Sequence, residues 1–111
     1  MPHSIEKYLY DIAESINSIE DFLGNKHDFF EYQKNKLLRR GIEREIEIIG
    51  EAINRILKIN PNIEISDARR IVDLRNWVIH GYDKVDDVII WGIISKDIPK
   101  LKIQVGKLLN K

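Results

Sequence analysis

Apolar residues recur every three or four positions along most of the chain, and this spacing constrains the fold more than any other feature. The first such stripe begins at Ile5 and continues to Leu23, with Ser4 placed to cap the helix and Gly24 placed to end it. No stretch alternates polar and apolar residues for long enough to indicate a strand. The sequence therefore predicts an all-α protein.

Three further segments carry the same periodicity. It predicts a second helix over about 27–59, a third from 66 or 67 to about 80, and a fourth that begins at 86 or 87 and continues towards the C-terminus. The sequence Asn-Pro-Asn at 60–62 is typical of a helix stop and a turn. Four helices with short links predict an up-and-down four-helix bundle, in a single domain over 1–111.

Glycine and proline interrupt two of the predicted helices. Gly41 and Gly50 lie inside the second helix, where they indicate a bend or a close contact with another helix. Pro99 lies inside the fourth helix and predicts a kink or a restart of that helix, with Asp97 as a candidate internal cap.

Charge and composition exclude several classes of function. The 18 basic and 18 acidic side chains of the 111-residue chain cancel, so a nucleic-acid site would need a local patch or two chains that pool their charges. The chain has no cysteine, and its three histidines lack the spacing of metal ligands, so we expect neither a metal nor a cofactor. The N-terminal stretch has no long apolar run, which predicts a cytoplasmic protein without a membrane segment.

Several apolar residues fall outside the main stripes, and a second apolar face favours a homodimer. The alternative is that these residues only widen the face that packs into the core. They are Ile48, Ala52, Ile89, Trp91 and Ile93.

The sequence RNWVIHGYD at 75–83 groups residues that can perform chemistry at the predicted end of the third helix. His80 would lie beside unpaired carbonyls, a setting that raises the pKa of an imidazole towards neutrality and suits general acid–base catalysis. Asn76 precedes it by one turn and could orient the ring. Arg75 could bind a phosphate through two hydrogen bonds, and Tyr82 follows the helix end. Cleavage of RNA suits this set of side chains.

Each of these residues also has a structural interpretation. A histidine at a helix end is often only a cap, an arginine is often only an ion-pair partner, and Asp73 or Asp83 could pair with Arg75. The spacing also separates Arg75 from His80 by about 140° around the helix axis. Two copies of this helix, packed side by side, would bring the two side chains into one cleft more easily than one copy does.

The pattern R-N-x-x-x-H-x-Y, with Arg75, Asn76, His80 and Tyr82, resembles the signature of HEPN-domain proteins, and the Tyr resembles that of the HepT subgroup. The stretch EREIEIIGEAINRI at 43–56 is similar to the second helix of that family. The stretch VDDVIIWGIISKDIPKL at 85–101 is similar to its last helix. The resemblance thus covers most of the chain, in order.

This resemblance implies an all-α HEPN-like homodimer and a metal-independent RNA endonuclease, the toxin of a type VII toxin–antitoxin system. It implies that Arg75 and His80 are the catalytic pair and that Asn76 assists them. It also implies that Tyr82 accepts AMP from a minimal nucleotidyltransferase antitoxin, MntA-like, which silences the toxin. The alternatives are a non-catalytic helical dimer that binds a nucleotide or docks the nucleotidyltransferase, and a purely structural dimer.

Other residues have weaker claims to a function. Glu51 is predicted to form a buried ion pair with Arg75 or Arg55, or to shape the cleft. Trp77 and Trp91 could stack on a base, although a place in the core or the dimer interface explains them better. A run of basic residues on the second helix could guide RNA, but a solvated face offset by nearby glutamates is favoured. The basic residues are Lys34, Lys36, Arg39, Arg40 and Arg44.

Overall fold

The computed structural model describes residues 3–24, 27–79 and 87–110, with the side chains within them except those of Leu74 and 77–79. All the regular structure in these ranges is helical, which confirms the predicted fold class. The elements are α1 (His3–Leu23), α2 (Phe29–Lys34), α3 (Lys36–Ile59), α4 (Ala68–Ile79), α5 (Asp87–Gly92), a π-helical turn (Ile93–Asp97) and α6 (Ile98–Leu109).

Helix α1 ends where its sequence predicts. Gly24 has a positive φ of 59° and its amide donates to the carbonyl of Glu20 at 2.9 Å, the geometry of a glycine that ends a helix. The helix begins at His3, so Ser4 lies inside its first turn.

The predicted second helix is two helices, because Asn35 interrupts it. Asn35 has an extended backbone, and its side-chain oxygen accepts from the amide of Leu38 at 3.0 Å. An asparagine that caps the following helix competes with continuation of the preceding one. The prediction of one continuous helix over 27–59 was therefore wrong at this residue.

Apolar stripes of the long helices meet in one core. Helix α3 packs along α1 on one side and along α4 on another, and α1 also packs against α6. Ile5, Leu9 and Ile12 of α1 are buried, as are Ile46 and Ile53 of α3. The predicted periodicity thus identified the core faces.

The backbone before Pro99 does not form the internal cap that the sequence predicted. The turn that precedes α6 is π-helical, and the amide of Ile98 donates to the carbonyl of Ile93. Proline lacks the amide that an α-helix requires, and a wider turn accommodates this loss. Asp97 has helical backbone angles and makes no capping hydrogen bond, so the prediction that it caps α6 was wrong. Its carboxylate instead accepts from Arg70 of α4 at 2.9 Å.

The apolar residues outside the stripes have mixed positions. Ala52 and Ile93 are buried, as a widened core predicts, and Ile48 and Trp91 are half-buried. Ile89 is exposed. The homodimer stays a prediction. In the part of the chain that the structure describes, no helix has the length and apolarity needed to cross a membrane.

Candidate functional site

Arg75 lies on α4 and reaches across to α3. Its Nη2 binds Oε2 of Glu51 at 2.8 Å, while Oε1 of the same carboxylate accepts from Nε of Arg55 at 2.9 Å. One carboxylate therefore holds two guanidinium groups, one on its own helix and one on the neighbouring helix. The predicted ion pair of Glu51 is confirmed, although its side chain is half-buried and not enclosed.

The close approach of α4 to α3 depends on Gly50. A Cβ added at Gly50 would overlap Cβ and Cγ of Arg75. The aliphatic part of the arginine therefore lies directly on the backbone of α3, where only glycine leaves room. This explains the glycine inside the second predicted helix, for which the sequence indicated a bend or a close helix contact.

Asn76 is exposed on α4, next to Arg75. Its side-chain oxygen accepts from Nη1 of Arg75 at 2.8 Å. The amide thus orients the guanidinium in this structure. The sequence predicted that Asn76 would orient the ring of His80, and that contact lies outside the described residues.

Arg75 borders a cavity of about 270 Å³ between α1, α3 and α4. Tyr8 and Asp11 line it from α1. Side-chain hydrogen bonding raises the pKa of the Arg55 guanidinium, with Tyr8 as the largest contributor and Glu51 as the next. The lining from α3 consists of Arg44, Glu47, Ile48, Glu51, Ala52 and Arg55. Opposite charges balance around this cavity.

The sequence did not identify Tyr8 and Asp11 as neighbours of the site. Their spacing of three residues puts them on one face of α1. That face could have been identified from the sequence, but the helix that it contacts could not.

Two of the predicted site residues, His80 and Tyr82, lie outside the described residues. The structure therefore brings together Arg75 and Asn76 of the predicted set, and adds Glu51 and Arg55.

The other candidates have structural roles in the described part of the chain. Arg40 binds Glu43 and Arg44 binds Glu47, each at 3.1 Å, and Lys34 lies 3.8 Å from Glu31. Three of the five basic residues therefore form an ion-paired, solvated face as favoured. Trp91 packs against Tyr32 with a ring-centroid distance of 5.4 Å. The side chain of Trp77 is not among those that the structure describes.

A family model described as ribonuclease HepT-like matches residues 12–108, which include the whole R-N-x-x-x-H-x-Y pattern and both flanking helices. The chain belongs to the ribonuclease HepT-like family. This confirms the resemblance stated from the sequence.

Two relatives of the chain have names that refer to ribonucleases. A Methanocaldococcus jannaschii protein named "Putative RNase MJ1380" is 37% identical, over 91% of this chain and 93% of its own length. A Thermococcus cleftensis protein named "Probable ribonuclease HepT" is 35% identical, over 97% of this chain and 98% of its own length. No solved structure matches the chain.

Within the described ranges, no group of three or more acidic or histidine side chains is arranged to hold a metal ion. The acids that line the Arg75 cavity are instead paired with cations: Glu51 with Arg55 and Arg75, Glu47 with Arg44, and Asp11 with Lys7.

Proposed function

We propose that this protein is a toxin ribonuclease that cuts RNA internally without a metal ion, in a type VII toxin–antitoxin system of the cytoplasm. The observation that carries the proposal is membership of the ribonuclease HepT-like family over residues 12–108. The relatives' names, which refer to ribonucleases, also support it.

His80 and Arg75 are the proposed catalytic residues, assisted by Asn76. The 2′-oxygen of a ribose attacks the adjacent phosphorus, and the bond from phosphorus to the 5′-oxygen breaks. His80 takes the proton of the 2′-hydroxyl or gives one to the leaving 5′-oxygen. Arg75 contacts the phosphate and stabilises the charge of the transition state. The products are a 2′,3′-cyclic phosphate and a 5′-hydroxyl.

The proposed site is shared by two chains. On an ideal helix, the spacing of Arg75 and His80 would project them about 140° apart, so in this proposal a cleft between two copies of the helix supplies both groups to one phosphate. The anchored position of Arg75 supports its role as the phosphate ligand because a guanidinium held on both sides needs little rearrangement to bind an anion.

Tyr82 is the proposed acceptor of AMP from an MntA-like nucleotidyltransferase. A phosphate added beside the cleft would repel the RNA backbone and obstruct its entrance. After co-expression with such an enzyme, the peptide that contains Tyr82 should gain the mass of one or more AMP units. An unmodified peptide would contradict this assignment.

The variant His80→Ala tests the catalytic proposal. We expect it to lose RNA cleavage and toxicity and to retain the helical content of the parent. His3→Ala, on the exposed first turn of α1, is the matched control and should cut RNA at the parent's rate. If His80→Ala cuts RNA as fast as the parent, the role of His80 is wrong.

A second candidate function is a non-catalytic dimer that docks a nucleotidyltransferase. The neutralisation of Arg75 by Glu51 favours it, because an arginine that serves only structure would be paired in this way. Intact RNA after long incubation with the pure protein, together with tight binding of the nucleotidyltransferase, would select this function.

A further inference from the structure

The contacts of Arg75 leave part of its guanidinium available. An arginine has five N–H groups. Nη1 of Arg75 donates to Asn76, and Nη2 forms an ion pair with Glu51. Towards the described residues, each terminal nitrogen therefore keeps one N–H group, while the Nε–H group is buried and has no hydrogen-bond partner among those residues.

Three separate contacts fix the arginine in this position. Gly50 admits its aliphatic part against the α3 backbone, Glu51 holds one terminal nitrogen, and Asn76 holds the other. Arg55 in turn occupies the second oxygen of Glu51, which restrains rotation of the carboxylate. The side chain of Arg75 is only 22% exposed, so it has far less freedom than a surface arginine.

We propose that Glu51 is a positioning residue for RNA cleavage, which holds the Arg75 guanidinium so that its terminal N–H groups meet the scissile phosphate. This inference rests on the proposed function. A flexible arginine must lose its rotamer freedom in the transition state, whereas an anchored one has lost it on folding. Glu51 therefore acts on the chemical step through Arg75 and makes no contact with the RNA.

Glu51 also has an opposing effect, because its carboxylate competes with the RNA phosphate for Arg75. Its negative charge weakens the attraction between Arg75 and a phosphate, so removal of the carboxylate strengthens RNA binding if competition dominates. The two effects differ in the kinetic constants. Loss of positioning lowers kcat with little change in KM, and loss of competition lowers KM.

The experiment measures kcat and KM on an RNA oligonucleotide for the parent, Glu51→Ala, Glu51→Gln, Arg75→Ala and the Arg75→Ala/Glu51→Ala double variant. Glu20→Ala is the matched control, because Glu20 also binds a cation on another helix, Lys102 at 2.9 Å, away from Arg75. Thermal unfolding of each variant separates lost stability from lost activity.

Glu51→Ala should lower kcat by roughly 10- to 100-fold with KM nearly unchanged. Glu51→Gln should recover part of this loss, because its amide oxygen still accepts from Arg75. The double variant should be no slower than Arg75→Ala, because Glu51 acts only through Arg75. Glu20→Ala should match the parent.

Distinct results overturn the two proposals. A parent chain that leaves RNA intact overturns the proposed function and the role of Glu51 with it. If the parent cuts RNA and Arg75→Ala does not, but folded Glu51→Gln and Glu51→Ala both keep the parent's kcat, only the role of Glu51 is overturned. Additive losses in the double variant also overturn it.

Discussion

Arg70 and Arg75 lie on the same helix, and each binds a carboxylate of another helix, but the burial of the two partners is reversed. At the first pair, the acid is buried: the Asp97 side chain is 7% exposed and that of Arg70 is 59% exposed. At the second pair, the cation is the more buried partner: Arg75 is 22% exposed and Glu51 is 37% exposed.

This reversal matches a structural role at the first pair and the proposed catalytic role at the second. A buried acid needs its arginine, because an unpaired carboxylate away from water is costly. At the second pair Arg75 borders a cavity and, towards the described residues, keeps terminal N–H groups without a partner, so a further anion can bind it. The presence of an ion pair is therefore less informative than which partner is buried and which donors remain.

Replacing each arginine with lysine should give the largest difference in RNA cleavage between the two pairs. Lysine keeps the charge but cannot make the paired hydrogen bonds of a guanidinium. We expect Arg75→Lys to lower the kcat/KM of RNA cleavage by about 100-fold. Arg70→Lys should stay within about twofold of the parent because a lone ammonium can still neutralise Asp97. Equal losses in both variants would remove the distinction between the pairs.

Changes at two helical glycines should test how tightly α4 approaches α3. Gly50→Ala places a methyl group against Arg75 and should lower the free energy of unfolding by about 1–3 kcal/mol. Gly106→Ala, in α6, adds its methyl group to open space and should raise that free energy by up to about 1 kcal/mol. Thermal unfolding measures both. Equal effects at the two glycines would mean that the approach of α4 is not tight.

Removal of the exposed partner of the first pair should affect stability and spare cleavage. Arg70→Ala leaves the buried Asp97 without its donor and should lower the free energy of unfolding by about 1–2 kcal/mol. The neighbouring Arg69 is exposed, and Arg69→Ala should change that free energy by less than about 0.5 kcal/mol. Urea unfolding measures the difference. A loss of cleavage in folded Arg70→Ala would contradict the division of roles.

Local features of the helices were largely predictable from the sequence, but two were not. The end of α1 at Gly24 followed from the conformational freedom of glycine. The break at Asn35 was missed because the apolar stripe begins only after it, although an asparagine before a helix is a recognised cap. The π-helical turn before Pro99 was expected only as a kink, because a missing amide indicates a disturbance without specifying its form.

The sequence by itself determined the helical class, the faces that form the core and the spacing of Arg75, Asn76, His80 and Tyr82, because these depend on residues that are near one another along the chain. Only the tertiary structure decided that Arg75 pairs with Glu51, although Asp73 was also available as a partner, and that Asp97 serves Arg70 instead of a helix end. An ion pair between helices depends on their separation, and at Arg75 that separation is set by the missing side chain of Gly50.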